Sequence, residues 1–372
     1  MSIYVSGIGA VSAAGNDIRE ISERIRAGKT ALHEPRRLRT RLKVPEGEAG
    51  LSDIDLKKEL GIGGIMSRTA LLGLKAAKEA LDDFAARTGV RKPSGAVFIS
   101  GTSVGGMDLS EVFWENHRGD LSGGDVRLLK MHSPGAVTQA MDEWLVSRGL
   151  MDEPALAGTV STACSAAGNT IMTGARMLQA GLADVALVGG TDSLCRFTMN
   201  GFHALHILDS DICRPFDETR AGLNLGEGAG YLVLTTSGPE GAYCRLTGWG
   251  NANEAYHQTA STPEGAGPGM AMEAALSEAG LEPSDIDFIN THGTGTLSND
   301  AAELNAMRRV FGNNVPPFSS LKNIIGHTLG ASEGIEAAWV CSMMESRRNG
   351  FRNVMSSAFG FSGNCVSLIF SE

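Results

Sequence analysis

A layered α/β fold made of two similar halves is what this sequence predicts, and three observations predict it. Short apolar runs that end in glycine alternate with alanine- and leucine-rich stretches of helical spacing, and no long linker interrupts them. The order of these elements recurs about half a chain later. The 48 glycines among 372 residues are nearly twice the usual share, and they are dispersed through apolar segments, as many tight strand-to-helix turns require.

Val97-Phe98-Ile99-Ser100 and Val185-Ala186-Leu187-Val188 read as buried central strands. Residues 69–86 and 270–280 read as helices packed on a sheet. In the first half, a helix near Ala80-Leu81 leads to the strand Phe98-Ile99-Ser100. In the second half, a helix near Ala275-Leu276 leads to Phe288-Ile289-Asn290. Thr159-Val160-Ser161 corresponds in the same way to Pro317-Phe318-Ser319-Ser320. Both halves close on a glycine-rich stretch and a strand, Gly226 to Gly230 into Tyr231-Leu232-Val233-Leu234 and Gly360 to Gly363 into Val366-Ser367-Leu368-Ile369-Phe370. The Ser-Gly-Pro break at 237–239 sets the expected boundary, giving halves 1–238 and 239–372.

Composition excludes several classes. A net charge of -10 argues against nucleic acid or an anionic membrane as the main partner. No window approaches the roughly 18 apolar residues of a membrane span, and the first residues already read as a strand, so a cytoplasmic location is expected. Six cysteines without a CxxC pair indicate neither a zinc site nor a disulfide framework. Gly7-Ile8-Gly9 lacks the third glycine of a dinucleotide site, since position 12 is Ser12. Gly226 to Gly230 lacks a following Gly-Lys-Ser/Thr and reads as a tight β-turn. The basic run Arg36, Arg37, Arg39, Arg41, Lys43 reads as a solvated loop.

Three residues stand apart from the structural background. Cys164 follows Val160-Ser161-Thr162-Ala163 and precedes an apolar helical stretch, so its thiol is expected over a helix N-terminus, where the dipole and free N–H groups favour thiolate. His292 lies in Asn290-Thr291-His292-Gly293-Thr294-Gly295-Thr296, and His327 in Gly326-His327-Thr328-Leu329-Gly330. Both are flanked by glycines that let a substrate approach backbone closely. One cysteine with two such histidines points to acyl-thioester chemistry. The other cysteines and histidines lack comparable settings and read as core or surface residues.

These segments, in order from Val5-Ser6-Gly7-Ile8-Gly9 through Ser161 to Ser165, Asp184 to Gly190, Cys213 to Asp217, Gly226 to Gly230, His292 to Thr296 with Asp300, Lys322 to His327 and Phe359 to Asn364, resemble a β-ketoacyl-acyl-carrier-protein synthase of the decarboxylating Cys-His-His type. The resemblance runs nearly end to end. It implies a thiolase-like fold of duplicated pseudo-symmetric halves in an α-β-α-β-α arrangement. It also implies decarboxylative Claisen condensation of an acyl group on Cys164 with malonyl-acyl carrier protein, for fatty acid, polyketide or aryl polyene chain elongation. His292 and His327 would donate to the enolate oxygen, Lys322 would orient them, and the backbone N–H groups of Cys164 and Phe361 would form the acyl oxyanion hole. Thr294 and Thr296 would contact the phosphopantetheine arm, while Phe359 and the gatekeeping Phe361 would line the substrate path. No bound cofactor is implied, because the substrates arrive on the carrier's phosphopantetheine. A homodimer or a heterodimer with a related subunit is implied as well.

Departures from the family pattern carry their own expectations. Ser357 stands where relatives have asparagine, which weakens a monovalent-cation site at Asn290, Glu336, Ser356 and Ser357. Gly-Phe-Ser-Gly replaces Gly-Phe-Gly-Gly, and the stretch between Cys164 and His292 is short, both favouring a specialised synthase. Gly63 and Gly64 replace basic residues, leaving Arg127 and Lys130 as carrier-docking candidates. A thiolase-type acyltransferase is disfavoured by His327 where a Cys-Gly turn is expected. A non-catalytic, chain-length-determining partner subunit is disfavoured by retention of all four catalytic residues.

Overall fold

The computed structural model describes residues 2–120, 123–238, 241–348 and 350–372. The boundary expected between 238 and 239 falls at Pro239 and Glu240, partly outside the described residues.

Ten strands form one hydrogen-bonded series: β1 (Ile3–Ser12), β2 (Ala96–Gly101), β3 (Leu156–Val160), β4 (Val185–Asp192), β5 (Gly228–Thr235), β6 (Cys244–Asn253), β7 (Phe288–Asn290), β8 (Phe318–Ser319), β9 (Asn353–Phe359) and β10 (Asn364–Ser371). Their spatial order is β3-β2-β4-β5-β1-β6-β10-β9-β7-β8. The two halves of that order are mirror copies in connectivity. β3, β2 and β4 run parallel and then meet β5 and β1 antiparallel, while β8, β7 and β9 run parallel and then meet β10 and β6 antiparallel. The halves join where β1 pairs with β6 through Ile3↔Leu246, Tyr4↔Arg245 and Val5↔Cys244. The expected correspondences all hold: Phe98 with Phe288 on β2 and β7, Thr159-Val160 with Phe318-Ser319 on β3 and β8.

Alternation along the strands shows where the layers lie. On β5, Leu232 and Leu234 face a central core shared with the helices Ala166–Gln179 and Ser332–Glu345, while Tyr231 and Val233 face an outer core under the helix Arg68–Thr88. On β10, Val366, Leu368 and Phe370 face the centre, whereas Cys365 and Ile369 face a second outer core under Ala266–Ala279 and Leu297–Phe311. The result is the five-layered α-β-α-β-α arrangement. Sheets buried on both faces account for the continuous apolar runs of β4 and β5.

The Gly226 to Gly230 stretch departs from the β-turn expectation. It runs extended into β5, and its glycines serve close approach instead: a Cβ on Gly230 would collide with the backbone of Gly334 and Ile335 in the central helix. The basic run also departs from a merely solvated loop. Arg37 pairs with the buried carboxylate of Glu227, which Arg68, itself buried, holds through two nitrogens. Leu38, Leu42 and Val44 pack on a small apolar cluster around Leu223 and Phe202. All six cysteines are buried and free.

Candidate active site

At the end of β3 the chain turns sharply into the central helix. Ala163 takes φ +55, a left-handed conformation that costs a non-glycine residue about 1–2 kcal/mol, and Cys164 follows in a single 3-10 turn before Ala166–Gln179. The second half repeats the turn: Leu329 takes φ +54 before the 3-10 turn Leu329–Ala331 and the helix Ser332–Glu345. In that repeat the position equivalent to Cys164 is Gly330. Its N–H donates to Asp192 Oδ2 at 2.7 Å, so the second half carries no nucleophile at the equivalent point.

His327 approaches from the short helix Lys322–Ile325, with its Nε2 3.1 Å from the Cys164 sulfur. Its Nδ1 accepts the Leu329 N–H at 3.3 Å and lies 3.1 Å from Ser332 Oγ. An acceptor at Nδ1 puts the ring hydrogen on Nε2, pointed at the sulfur. His292 follows β7, and its ring stands edge-on to His327 with centroids 5.3 Å apart. The ligating atoms of Cys164, His292 and His327 all lie within 4.8 Å of one another, and all three residues are buried. Among the described residues, the buried His292 Nδ1 has no hydrogen-bond partner to fix it as donor or acceptor.

The electrostatics favour neutral groups. Burial, with the Lys322 charge adding to it, holds both imidazoles well below the usual histidine range. Lys322 donates to Glu336 Oε1 at 2.8 Å, both groups being buried. The thiolate expected for Cys164 is not the resting state. Burial pushes the thiol up to about 12, and the opposing pull of Lys322 and of the Phe361 and Cys164 backbone N–H groups does not overcome it. Thiols buried in apolar surroundings are raised in this way, and the helix start does not offset it here.

The other expected residues gather around this centre. Thr294 and Thr296 share a 2.9 Å hydroxyl contact, and with Phe359 and Phe361 they line a pocket that reaches Cys164 and both histidines. Phe361 stacks on Phe202 with ring centroids 5.5 Å apart, and both rings line the pocket. Ser362, beside it, sits at φ +69 and donates its N–H to Gln258 O at 2.7 Å. The cation-site set is only partly assembled. Asn290 Nδ2 donates to Ser356 Oγ at 2.9 Å and to Glu336 Oε2 at 3.3 Å, but Ser357 lies on the opposite face of β9, 2.9 Å from Ser367 Oγ. With Ser357 turned away and Glu336 already holding the Lys322 ammonium, these residues do not fit a monovalent cation.

Three contributors escaped the sequence reading. Asp192, at the end of β4, accepts the N–H groups of Ser103, Val104 and Gly330 and the Thr102 hydroxyl, tying a first-half loop to the turn after His327. Glu303 accepts the N–H groups of His292 and Gly293, each at 2.8 Å, and so sets the histidine loop. Phe202 stacks on Phe361 in the pocket wall. An acidic residue closing a buried strand that carries Gly189-Gly190 was the available signal for Asp192. Glu303 had a helical i+3 relation to Asp300, while Phe202 had none.

The sequence profile of the beta-ketoacyl synthase N-terminal domain matches residues 1–238, and that of the C-terminal domain matches residues 243–348. A 3-oxoacyl-[acyl-carrier-protein] synthase 2 of Staphylococcus aureus (strain COL) is 32% identical over 355 residues, covering 90% of this chain and 83% of its own. Nodulation protein E of Rhizobium sp. (strain N33) is 32% identical over 350 residues, covering 90% and 84%. Among solved structures, the ishigamide ketosynthase/chain length factor superposes with a TM-score of 0.88 at 27% identity, over 100% of this chain and 98% of that one. A ketosynthase in complex with its chain length factor from Xenorhabdus doucetiae gives 0.84 at 31% identity, with the same coverage. Profiles that span nearly the whole chain, set beside a Cys-His-His centre at the strand ends, place it: the chain belongs to the beta-ketoacyl synthase family of acyltransferases.

Proposed function

We propose that the protein condenses an acyl group held on Cys164 with malonyl-acyl carrier protein, releasing carbon dioxide and giving a 3-oxoacyl-acyl carrier protein. The observation that carries this reading is the 3.1 Å approach of His327 Nε2 to the Cys164 sulfur in a buried pocket shared with His292. The name of the Staphylococcus aureus relative supports the carrier-bound substrate class.

The first step exchanges thioesters. The Cys164 sulfur attacks the acyl carbonyl, the former thiol proton leaves with the carrier's pantetheine sulfur, and the carbonyl oxygen is held by the N–H groups of Cys164 and Phe361, which point at this centre. In the second step the malonyl C–C bond to the carboxylate breaks, and its electron pair becomes an enolate. Neutral imidazoles that donate a hydrogen bond suit the developing oxyanion, and burial with Lys322 keeps them neutral. The enolate carbon then attacks the acyl carbonyl, and the Cys164 sulfur leaves as thiolate and takes from solvent the one proton that the overall reaction consumes. Lys322 acts as a positioning residue through Glu336. Thr294 and Thr296 would hold the phosphopantetheine arm, so no separate cofactor is needed.

The solved neighbours that pair a ketosynthase with a chain length factor support a dimeric assembly, either of two copies or with a related subunit. Retention of Cys164, His292, His327 and Lys322 favours the catalytic role in such a pair. The short Cys164-to-His292 stretch and Ser362 support a specialised chain, of the polyketide or aryl polyene kind, over primary fatty-acid elongation. Intact mass after incubation with acyl carriers tests the reading. One acyl adduct is expected, absent in Cys164→Ala, and an adduct that survives the substitution removes Cys164 as the acceptor.

A further inference from the structure

Four exposed cations lie on one short segment beside the pocket. Arg36, Arg39, Arg41 and Lys43 are exposed, and among the described residues none of their side chains has an ion pair or hydrogen bond. In a chain of net charge -10, that is a local reversal of sign. The segment is also held in shape. Glu48 accepts the backbone N–H groups of Arg36, Arg37 and Leu38 at 2.8 to 3.2 Å, and Arg37 is anchored on buried Glu227. Leu38, Leu42 and Val44 turn inward while Arg39, Arg41 and Lys43 alternate with them and turn outward. The apolar underside packs on the cluster that contains Phe202, Ile207 and Leu223, three residues that line the Cys164 pocket. Backbone bridges continue the connection, from Gly47 to Gly226 and from Leu225 to His327.

The alternative cations are less available. Arg127 is held by both oxygens of Asp125 at 2.8 Å, which leaves Lys130 with little support. Arg214 and Arg220 near the pocket face Asp209 and Asp300.

We propose that the Arg36–Lys43 segment is the docking surface for the acidic carrier protein that delivers the thioester to Cys164. The proposal rests on the condensing function above. A row of unpaired cations on a segment held by Glu48 and by the Arg37–Glu227 pair steers an acidic partner and orients it toward the pocket beneath. Such an interaction is screened over about 10 Å at 0.1 M salt, so it shows itself in association and in salt dependence.

The test compares the wild type with a variant carrying Arg36→Glu, Arg39→Glu, Arg41→Glu and Lys43→Glu, and with one carrying Arg127→Ser and Lys130→Ser. Two substrates are used, malonyl thioesters of a phosphopantetheine-bearing acyl carrier protein and of free pantetheine. For the four-site variant we expect KM for the carrier substrate to rise about tenfold or more, with its salt dependence flattened and turnover of the pantetheine thioester retained. Fluorescence anisotropy of the labelled carrier should show the same loss of binding without any turnover. An unchanged KM and unchanged anisotropy, or a loss confined to the Arg127 and Lys130 variant, overturns the assignment. A wild type that turns over neither thioester would instead overturn the proposed function, and anisotropy would still decide the docking surface.

Discussion

Cys164 illustrates how one residue's chemistry follows from two competing environments. Its place at a helix start and beside His327 Nε2 favours the anion, while complete burial disfavours it, and burial prevails with the thiol near 12. With a raised pKa, the thiolate fraction climbs about tenfold per pH unit until the pKa is reached. Alkylation of Cys164 by iodoacetamide is therefore expected to keep rising between about pH 7 and pH 10, read by intact mass against time. A plateau near pH 7 would mean that the helix terminus and His327 outweigh burial. The histidines give a second, separable prediction. Replacing either His292 or His327 by alanine removes one donor to the enolate oxygen, and decarboxylation of the malonyl thioester should fall about a hundredfold to a thousandfold, with acyl transfer to Cys164 partly retained. Carbon dioxide release at the wild-type rate in both variants would exclude them from that step. These three residues were readable in the sequence because each sits in a distinctive local setting. Asp192 was not, because its role rests on N–H groups far off in the chain, from Ser103 to Gly330; Glu303 was not, because the His292 and Gly293 N–H groups reach it only through the fold of the loop between them, which leaves no helical or strand spacing.

Among the elements, the loop after β9 bears most directly on selectivity. Phe361 stacks on Phe202 in the pocket wall, and Ser362 beside it holds φ +69, where a glycine would rest without a Cβ penalty. The Ser362 N–H bond to Gln258 O ties this loop to the segment after β6. A serine committed to that conformation has fewer backbone states through which Phe361 can swing aside. Ser362→Gly should thus broaden the range of acyl lengths loaded onto Cys164 while leaving malonyl decarboxylation nearly unchanged. Loading rates for short and long acyl carriers give the comparison, and an unaltered ratio would move chain selection to the pocket walls. The strands and long helices were legible from their periodicity: residues 69–86 fall within Arg68–Thr88, and 270–280 overruns Ala266–Ala279 only by its left-handed cap, Gly280. The extended run through Gly226 was not legible. Glycine signals both a turn and a close backbone approach, and only the helix lying against Gly230 distinguishes them.

Over the whole molecule, the internal repeat explains both the symmetry of the layers and the asymmetry of the site. Each half supplies five strands and one central helix, and each central helix begins with the same left-handed turn, yet only the first turn presents a thiol. The repeat could be read from the order of elements, whereas the joining of the halves through β1 and β6 could not, because strand pairing across the chain leaves no local pattern. The close approach of the halves makes the final prediction. Gly230 on β5 meets Gly334 at the start of the central helix that follows His327, and a Cβ there has no space against the Gly334 and Ile335 backbone. Backbone cannot yield as a flexible side chain does, so Gly230→Ala should destabilise the fold by about 1–3 kcal/mol or more and should also weaken acylation by displacing the His327 turn. Gly63→Ala provides the contrast. Nothing lies within 4 Å of a Cβ at Gly63 and its φ is not left-handed, so its stability should stay within about 0.5 kcal/mol of wild type. Thermal unfolding of the two variants beside the wild type decides the matter: equal midpoints for all three would show that the central helix slides to admit a methyl group and that the glycine contact does not hold the layers in register.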